Sequence, residues 1–197
     1  MTEMTYSCNW TKSIILVFMS LLLWTTRLGA QDMPVPVGVQ AALFPKILTF
    51  DRNLNGETDN GLVIGVVYQK KFRTSLNVKE TFMDALSSAK KRNMLHFHCV
   101  PIDISDHTNL EDVISQNKID ILYIAPVRAI EIETITSVSR ARKITTLTGV
   151  PDYVELGLAV GIGIKGEKPR IIINLPAAKA EGADFKSLLL RMAKVIK

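Results

Sequence analysis

The sequence predicts an α/β fold: a mainly parallel β-sheet covered by helices on both faces, in three layers, with a C-terminal antiparallel hairpin and a terminal helix. Three observations predict it. Apolar runs at 62–68, 94–104, 119–124 and 144–147 alternate with stretches whose apolar residues recur at helical spacing, which is the pattern of strand–helix–strand units. The run Leu62-Val63-Ile64-Gly65-Val66-Val67-Tyr68 is apolar on both faces, as a central parallel strand is. Apolar runs at 158–164 and 170–174 flank Lys165-Gly166-Glu167-Lys168, four polar residues with one glycine, a β-hairpin signal.

At the start of the chain, Lys12 precedes an uncharged run from Ser13 to Trp24, and Leu28-Gly29-Ala30 offers a small-residue cleavage site. This reads as a cleavable signal peptide over residues 1–30. The run falls short of the ~20 apolar residues of a membrane span, so the chain is not expected to span a membrane after cleavage. Residues 31–197 then form a single α/β domain, long enough to bury a core. The leader implies export from the cytosol.

Within the domain, Val39, Leu43, Ile47 and Phe50 make one apolar stripe, and Pro45 places the start or a kink of this helix near Leu43. After the first strand, Ser75 or Asn77 caps a helix running to about Arg92, with Val78, Phe82, Ala85, Leu86 and Ala89 inward. Residues 94–104 read as the second strand and 109–116 as a short helix with Leu110, Val113 and Ile114 inward. The third strand, 119–124, is stopped by Pro126, and 127–142 reads as helical before the fourth strand at 144–147. Residues 151–156 give a short turn or helix ahead of the hairpin. Asn174 then caps a helix over 177–181 that Gly182 ends, and Asp184 caps a last helix with Phe185, Leu188, Leu189, Met192 and Ile196 on one stripe.

The whole chain carries a formal net charge of +5, dispersed, with no cationic run longer than Lys90-Lys91-Arg92. No aromatic–basic interleaving accompanies that charge, so nucleic-acid binding is not expected. Cys8 leaves with the leader, and Cys99 alone cannot close an intramolecular disulfide. It reads as a small buried hydrophobe.

Several letter patterns imitate chemistry. Gly161-Ile162-Gly163-Ile164-Lys165-Gly166 spells G-x-G-x-x-G, but two of its glycines fall inside a strand and another strand follows where a helix is required. Packing against a smooth strand face explains them better. His96 and His98 share a strand face without an identifiable third ligand, so no metal is assigned. Asp103, Ser105, Asp106 and His107 gather in one loop that reads as a polar cap on the helix from Asn109; spacing alone does not make a triad. No catalytic, cofactor-binding or metal residues are assigned, and the protein reads as a non-enzyme.

One positional argument remains. Open parallel sheets bind ligands beyond the carboxyl ends of their strands. Those positions give a candidate ligand cleft of Tyr68, Gln69 and Lys70, then Pro126 and Arg128, then Thr148 and Gly149.

Two stretches also carry a family likeness. Val39-Gln40-Ala41-Ala42-Leu43-Phe44-Pro45-Lys46-Ile47-Leu48-Thr49-Phe50 resembles the opening amphipathic helix of YfiR-type proteins, which carries an Ala-Ala pair followed by aromatics. Leu147-Thr148, Gly157, Ile171-Ile172-Ile173-Asn174-Leu175, Ala178, Gly182, Leu188-Leu189 and Ala193 resemble that family's C-terminal pattern. The resemblance implies a small periplasmic α/β domain without enzymatic activity. Its implied partner is the periplasmic sensor region of an inner-membrane signalling protein, such as the diguanylate cyclase YfiN or a sensor histidine kinase. The implied output is cyclic di-GMP and biofilm formation, and the implied assembly is a homodimer. Two departures stand out: the first helix ends in Asp51-Arg52 where the family has an aromatic–proline ending, and the disulfides of some members cannot form from Cys99. A second reading, from the strand-end positions, is a single-lobe solute-binding module for a small anionic or cell-wall-derived ligand.

Overall fold

The computed structural model describes residues 33–54, 61–89, 97–106 and 109–197. In chain order these give α1 (Val37–Leu48), β1 (Leu62–Tyr68), α2 (Arg73–Ala89), β2 (Phe97–Asp103), α3 (Leu110–Asn117), β3 (Ile121–Ile124) and α4 (Ile132–Arg142). There follow β4 (Thr145–Thr148), α5 (Pro151–Glu155), β5 (Val160–Lys165), β6 (Lys168–Asn174), α6 (Leu175–Ala180), α7 (Ser187–Met192) and β7 (Lys194–Ile196). Among the described residues the strands form one sheet in the order β2-β1-β3-β4-β5-β6-β7. Neighbours run parallel except in the β5–β6 hairpin. The expected fold class is therefore the observed one.

Side chains alternate across each strand, so the sheet has two dry faces. On one face Ile64, Val66, Ile121 and Tyr123 pack with Phe44 and Ile47 of α1, Phe82 of α2 and Leu189 of α7. On the other, Val67, Ile102, Leu122 and Ile124 pack with Leu110 and Ile114 of α3 and Ile132 and Ile135 of α4. Tyr123 anchors the first core. Its ring stacks on Phe82 at 3.7 Å and meets Phe44 edge-on at 5.9 Å. Its hydroxyl donates to Oε1 of the fully buried Gln40 at 2.8 Å, and Gln40 Nε2 donates to the Val35 carbonyl. A polar pair inside a core is tolerable because both partners are hydrogen-bonded.

The hairpin glycines do what a smooth strand face does. A Cβ on Gly161 would lie 2.4 Å from Val154 Cγ2 of α5, so only glycine lets that helix sit down on the sheet. Gly166 occupies the turn with φ +61°, where glycine has no Cβ to clash.

Several local expectations differ from the structure. Helix α1 starts at Val37 and continues through Pro45. Burial of Ala41, Phe44, Ile47 and Leu48 outweighs the one hydrogen bond that Pro45 removes. Helix α2 begins at Arg73, before Ser75, and the buried Ser75 hydroxyl accepts from the Gln69 amide. Helix α4 starts at Ile132, because Ala129 has φ +54° and breaks any helix through 127–131. Asp184 pairs with Arg52 at 3.0 Å, while α7 starts at Ser187 with no side-chain cap. That helix is a single short piece, so Leu188 and Met192 stay half exposed and Ile196 belongs to β7. The expected start of β2, the end of α2 beyond Ala89, and Lys90, Lys91, Arg92, His96 and His107 lie outside the described residues. His98 is exposed on β2. Cys99 is half-buried, and burial pushes its thiol up to about 11.

Candidate functional site

The strand order fixes where a ligand would sit. From β1 the chain goes to β2 on one side and then crosses back to β3 on the other. The loops leaving β1 and β3 therefore diverge, and a crevice opens between them at the carboxyl ends of the strands. Here the crevice is a cavity of about 440 Å³, within the usual range of small-molecule pockets. Gln69, Ser105, Arg128 and Thr134 supply its polar lining, and Ile104, Leu110, Ile130 and Ile135 its apolar floor. An adjoining hollow of about 220 Å³ shares Gln69, Ser105 and Arg128 and adds Lys71 and Phe72.

The wall between β3 and α4 is held from both sides. Gln69 reaches across from β1: its Nε2 donates to the Arg128 carbonyl at 2.9 Å, and its Oε1 accepts from the Arg128 amide at 2.6 Å. From the opposite side, the buried Tyr153 hydroxyl accepts from the Val127 amide at 3.0 Å and bonds the Val127 carbonyl at 3.2 Å. Two consecutive residues are thus clamped by side chains from distant elements, and Ala129 takes up the turn in the left-handed region. The Arg128 guanidinium carbon lies 4.2 Å from the centre of the Phe72 ring, a cation–π contact. No carboxylate among the described residues pairs with Arg128.

The nearby acidic groups are occupied elsewhere. Asp103 Oδ1 accepts from the Ser105 hydroxyl at 2.6 Å and from the amides of Ser105 and Lys70 at 3.0 Å. Burial raises the Asp103 carboxyl, but these donors and the Lys70 charge outweigh it and hold the group below its ordinary range. Lys71 pairs with Asp106. Asn109 caps α3 by itself, its side chain accepting from the Glu111 amide at 3.1 Å.

Of the cleft residues expected from strand ends, the structure brings Gln69 and Arg128 together in the cavity lining. Tyr68 is half-buried, with Lys79 Nζ 5.1 Å from its ring centre, and Lys70 is exposed and tied to Asp103 through its amide. Pro126 is buried. Thr148 is buried and donates to the Ile124 carbonyl, and Gly149 is packed against the Gln40 side chain. Neither lines the cavity. Sequence reasoning missed Tyr153, Phe72, Thr134 and the clamp made by Gln69, all of which act through contacts between elements far apart in the chain.

Behind the hairpin lies a second polar cluster. Glu181, 1 % exposed, accepts from the Ser139 hydroxyl at 2.8 Å, the Thr146 amide at 2.8 Å and the Thr146 hydroxyl at 2.9 Å. Burial pushes its carboxyl up to about 7, against the pull of those donors and of Arg140. It joins α4, β4 and the end of α6, and its role is internal support.

A family model described as YfiR/HmsC-like matches residues 38–194. The chain belongs to the YfiR/HmsC-like family. Members of that family regulate periplasmic signalling. The likeness read from the first helix and the C-terminal block is therefore shown, although the opening helix ends in Asp51 and Arg52. No curated protein matches the chain. Among solved structures, the chain is similar to a conserved domain protein from Vibrio cholerae, at 18% identity and TM-score 0.61, over 82% of this chain and 60% of that one. It is also similar to the ABC domain solved in complex with L-Trp from Streptococcus pneumoniae, at 15% identity and TM-score 0.54, over 77% of this chain and 61% of that one. The chain thus spans about three-fifths of each of these two relatives. Both likenesses speak for the shared α/β fold alone. Among the described residues no helix is long and apolar enough to cross a membrane.

Proposed function

We propose that this chain is a non-enzymatic periplasmic regulatory protein that binds a membrane signalling enzyme and sets its output. The family match over residues 38–194 carries this reading. The partner is the periplasmic sensor region of an inner-membrane protein, a diguanylate cyclase of the YfiN type or a sensor histidine kinase. The output is cyclic di-GMP and biofilm formation. The leader over residues 1–30 delivers the chain to the periplasm and is removed, and residues 31–197 act as one domain that self-associates. Among the described residues the crevice pairs an exposed guanidinium and a hydroxyl with an apolar floor, a lining that suits recognition.

Deleting the gene is expected to change cellular cyclic di-GMP or biofilm mass, and the tagged protein is expected to co-purify with one inner-membrane protein bearing a periplasmic sensor. Unchanged output together with no such companion would contradict the proposal.

A further inference from the structure

We propose that the crevice between the ends of β1 and β3 is a binding site for a small organic monocarboxylate with an apolar body. This inference goes beyond the regulatory reading and stands whether or not a membrane enzyme is the partner.

Three features carry it. The first is a cation that the fold presents and leaves unneutralised. Arg128 is exposed, rests against the Phe72 ring, and no carboxylate among the described residues answers it. The second is the construction of the site. Gln69 and Tyr153 spend both sides of their polar groups on the backbone at Arg128 and Val127. That holds the guanidinium's base in one place, which lowers the ordering cost of capturing a ligand. The third is the two-ended lining. Arg128 stands at the rim with the Thr134 hydroxyl, the Ser105 proton being held by Asp103, and isoleucines and a leucine make the floor.

The balance of charge selects the head group. A planar carboxylate matches one guanidinium edge with two parallel N–H···O bonds. A phosphate dianion would call for further cations, and the neighbouring Lys71 is already paired with Asp106. The apolar floor selects the rest of the ligand, because a bare inorganic anion would leave it wet. A larger cavity of about 620 Å³ between α4 and α5 is a poorer candidate. Glu131 and Glu133 line it, and its Arg140 already bonds the Gly157 carbonyl at 3.3 Å.

The test is calorimetric titration of the full chain with hexanoate, using hexan-1-ol and inorganic phosphate as controls, up to about 10 mM. Saturable binding of hexanoate is expected, with Arg128→Ala weakening it about tenfold or more, the usual size of a lost charge-assisted hydrogen-bond pair. The melting temperature of the unliganded variant should match that of the parent, which separates lost binding from lost fold. No saturable hexanoate binding would overturn the site. Equal binding of hexan-1-ol, or undiminished hexanoate binding by Arg128→Ala, would overturn the role of the charge. Phosphate binding as tight as hexanoate would overturn the apolar half.

Discussion

The β5–β6 hairpin and the β1–β3 crevice sit on the same sheet and make opposite use of their sequences. The hairpin spells a nucleotide-binding motif, yet its glycines are filled by contact: Val154 of α5 occupies the space where a Gly161 side chain would be. The crevice spells nothing, yet it gathers an unneutralised guanidinium, the Thr134 hydroxyl and an apolar floor. The lesson is that a motif is its spacing in three dimensions. Glycine marks a close approach by whatever comes next in space, which is a phosphate before a helix N-terminus and a neighbouring side chain inside a strand. Helix α5 links the two regions, since adjacent residues serve both: Tyr153 clamps Val127 at the crevice wall and Val154 fills the hairpin face.

The sharpest way to break this contrast is to place side chains in each region. Gly161→Val forces a branched side chain into Val154, and a cost of about 3 kcal/mol in urea denaturation is expected. A neutral effect would mean that α5 does not rest on the strand.

Next in size is the support behind the hairpin. Glu181 has a carboxyl raised to about 7 against an ordinary value near 4.5. Between these values the folded chain binds more protons than the unfolded one. Stability contributed by the neutral acid is therefore present at low pH, falls as the pH rises through this window, and is level above it. Urea denaturation from pH 5 to pH 8 should show a loss on the order of 2 kcal/mol. Glu181→Gln should flatten that decline while holding the stability seen at the acid end. An identical slope in the variant would assign the decline to other groups.

Smallest is the stability effect at the crevice rim. Arg128→Ala loses an exposed contact with Phe72, which is about 0.5 kcal/mol and close to the error of a melting experiment. A rim substitution that unfolded the protein would make Arg128 a structural residue and erase the difference between the two regions.

Much of the architecture was legible because it rests on local periodicity. The two-faced apolar run of β1, the Asn174 cap of α6 and the polar turn at Gly166 each act within a few residues. The errors lie where tertiary contacts override a local preference. Ser75 and Asp184 are good capping letters, yet one hydroxyl serves the Gln69 amide and the other side chain serves Arg52. Three residues of β7 are too few to show alternation, so the chain end read as helix. For the crevice, topology alone pointed to Gln69 and Arg128, because strand ends near a reversal of strand order are predictable from connectivity. Nothing in the letters shows that Gln69 would lock the Arg128 backbone, or that Glu181, one charge among small residues, would be buried under three donors.

On this sheet the proposed recognition surface is the crevice, whereas the glycine strand serves packing. Mapping backbone amide shifts while hexanoate is titrated into the labelled full chain tests it most directly. Saturable shifts centred on Gln69, Arg128 and Ile130 are expected, with Gly161, Gly163 and Gly166 unmoved. Shifts centred on those glycines, or no shifts at the crevice, would contradict it.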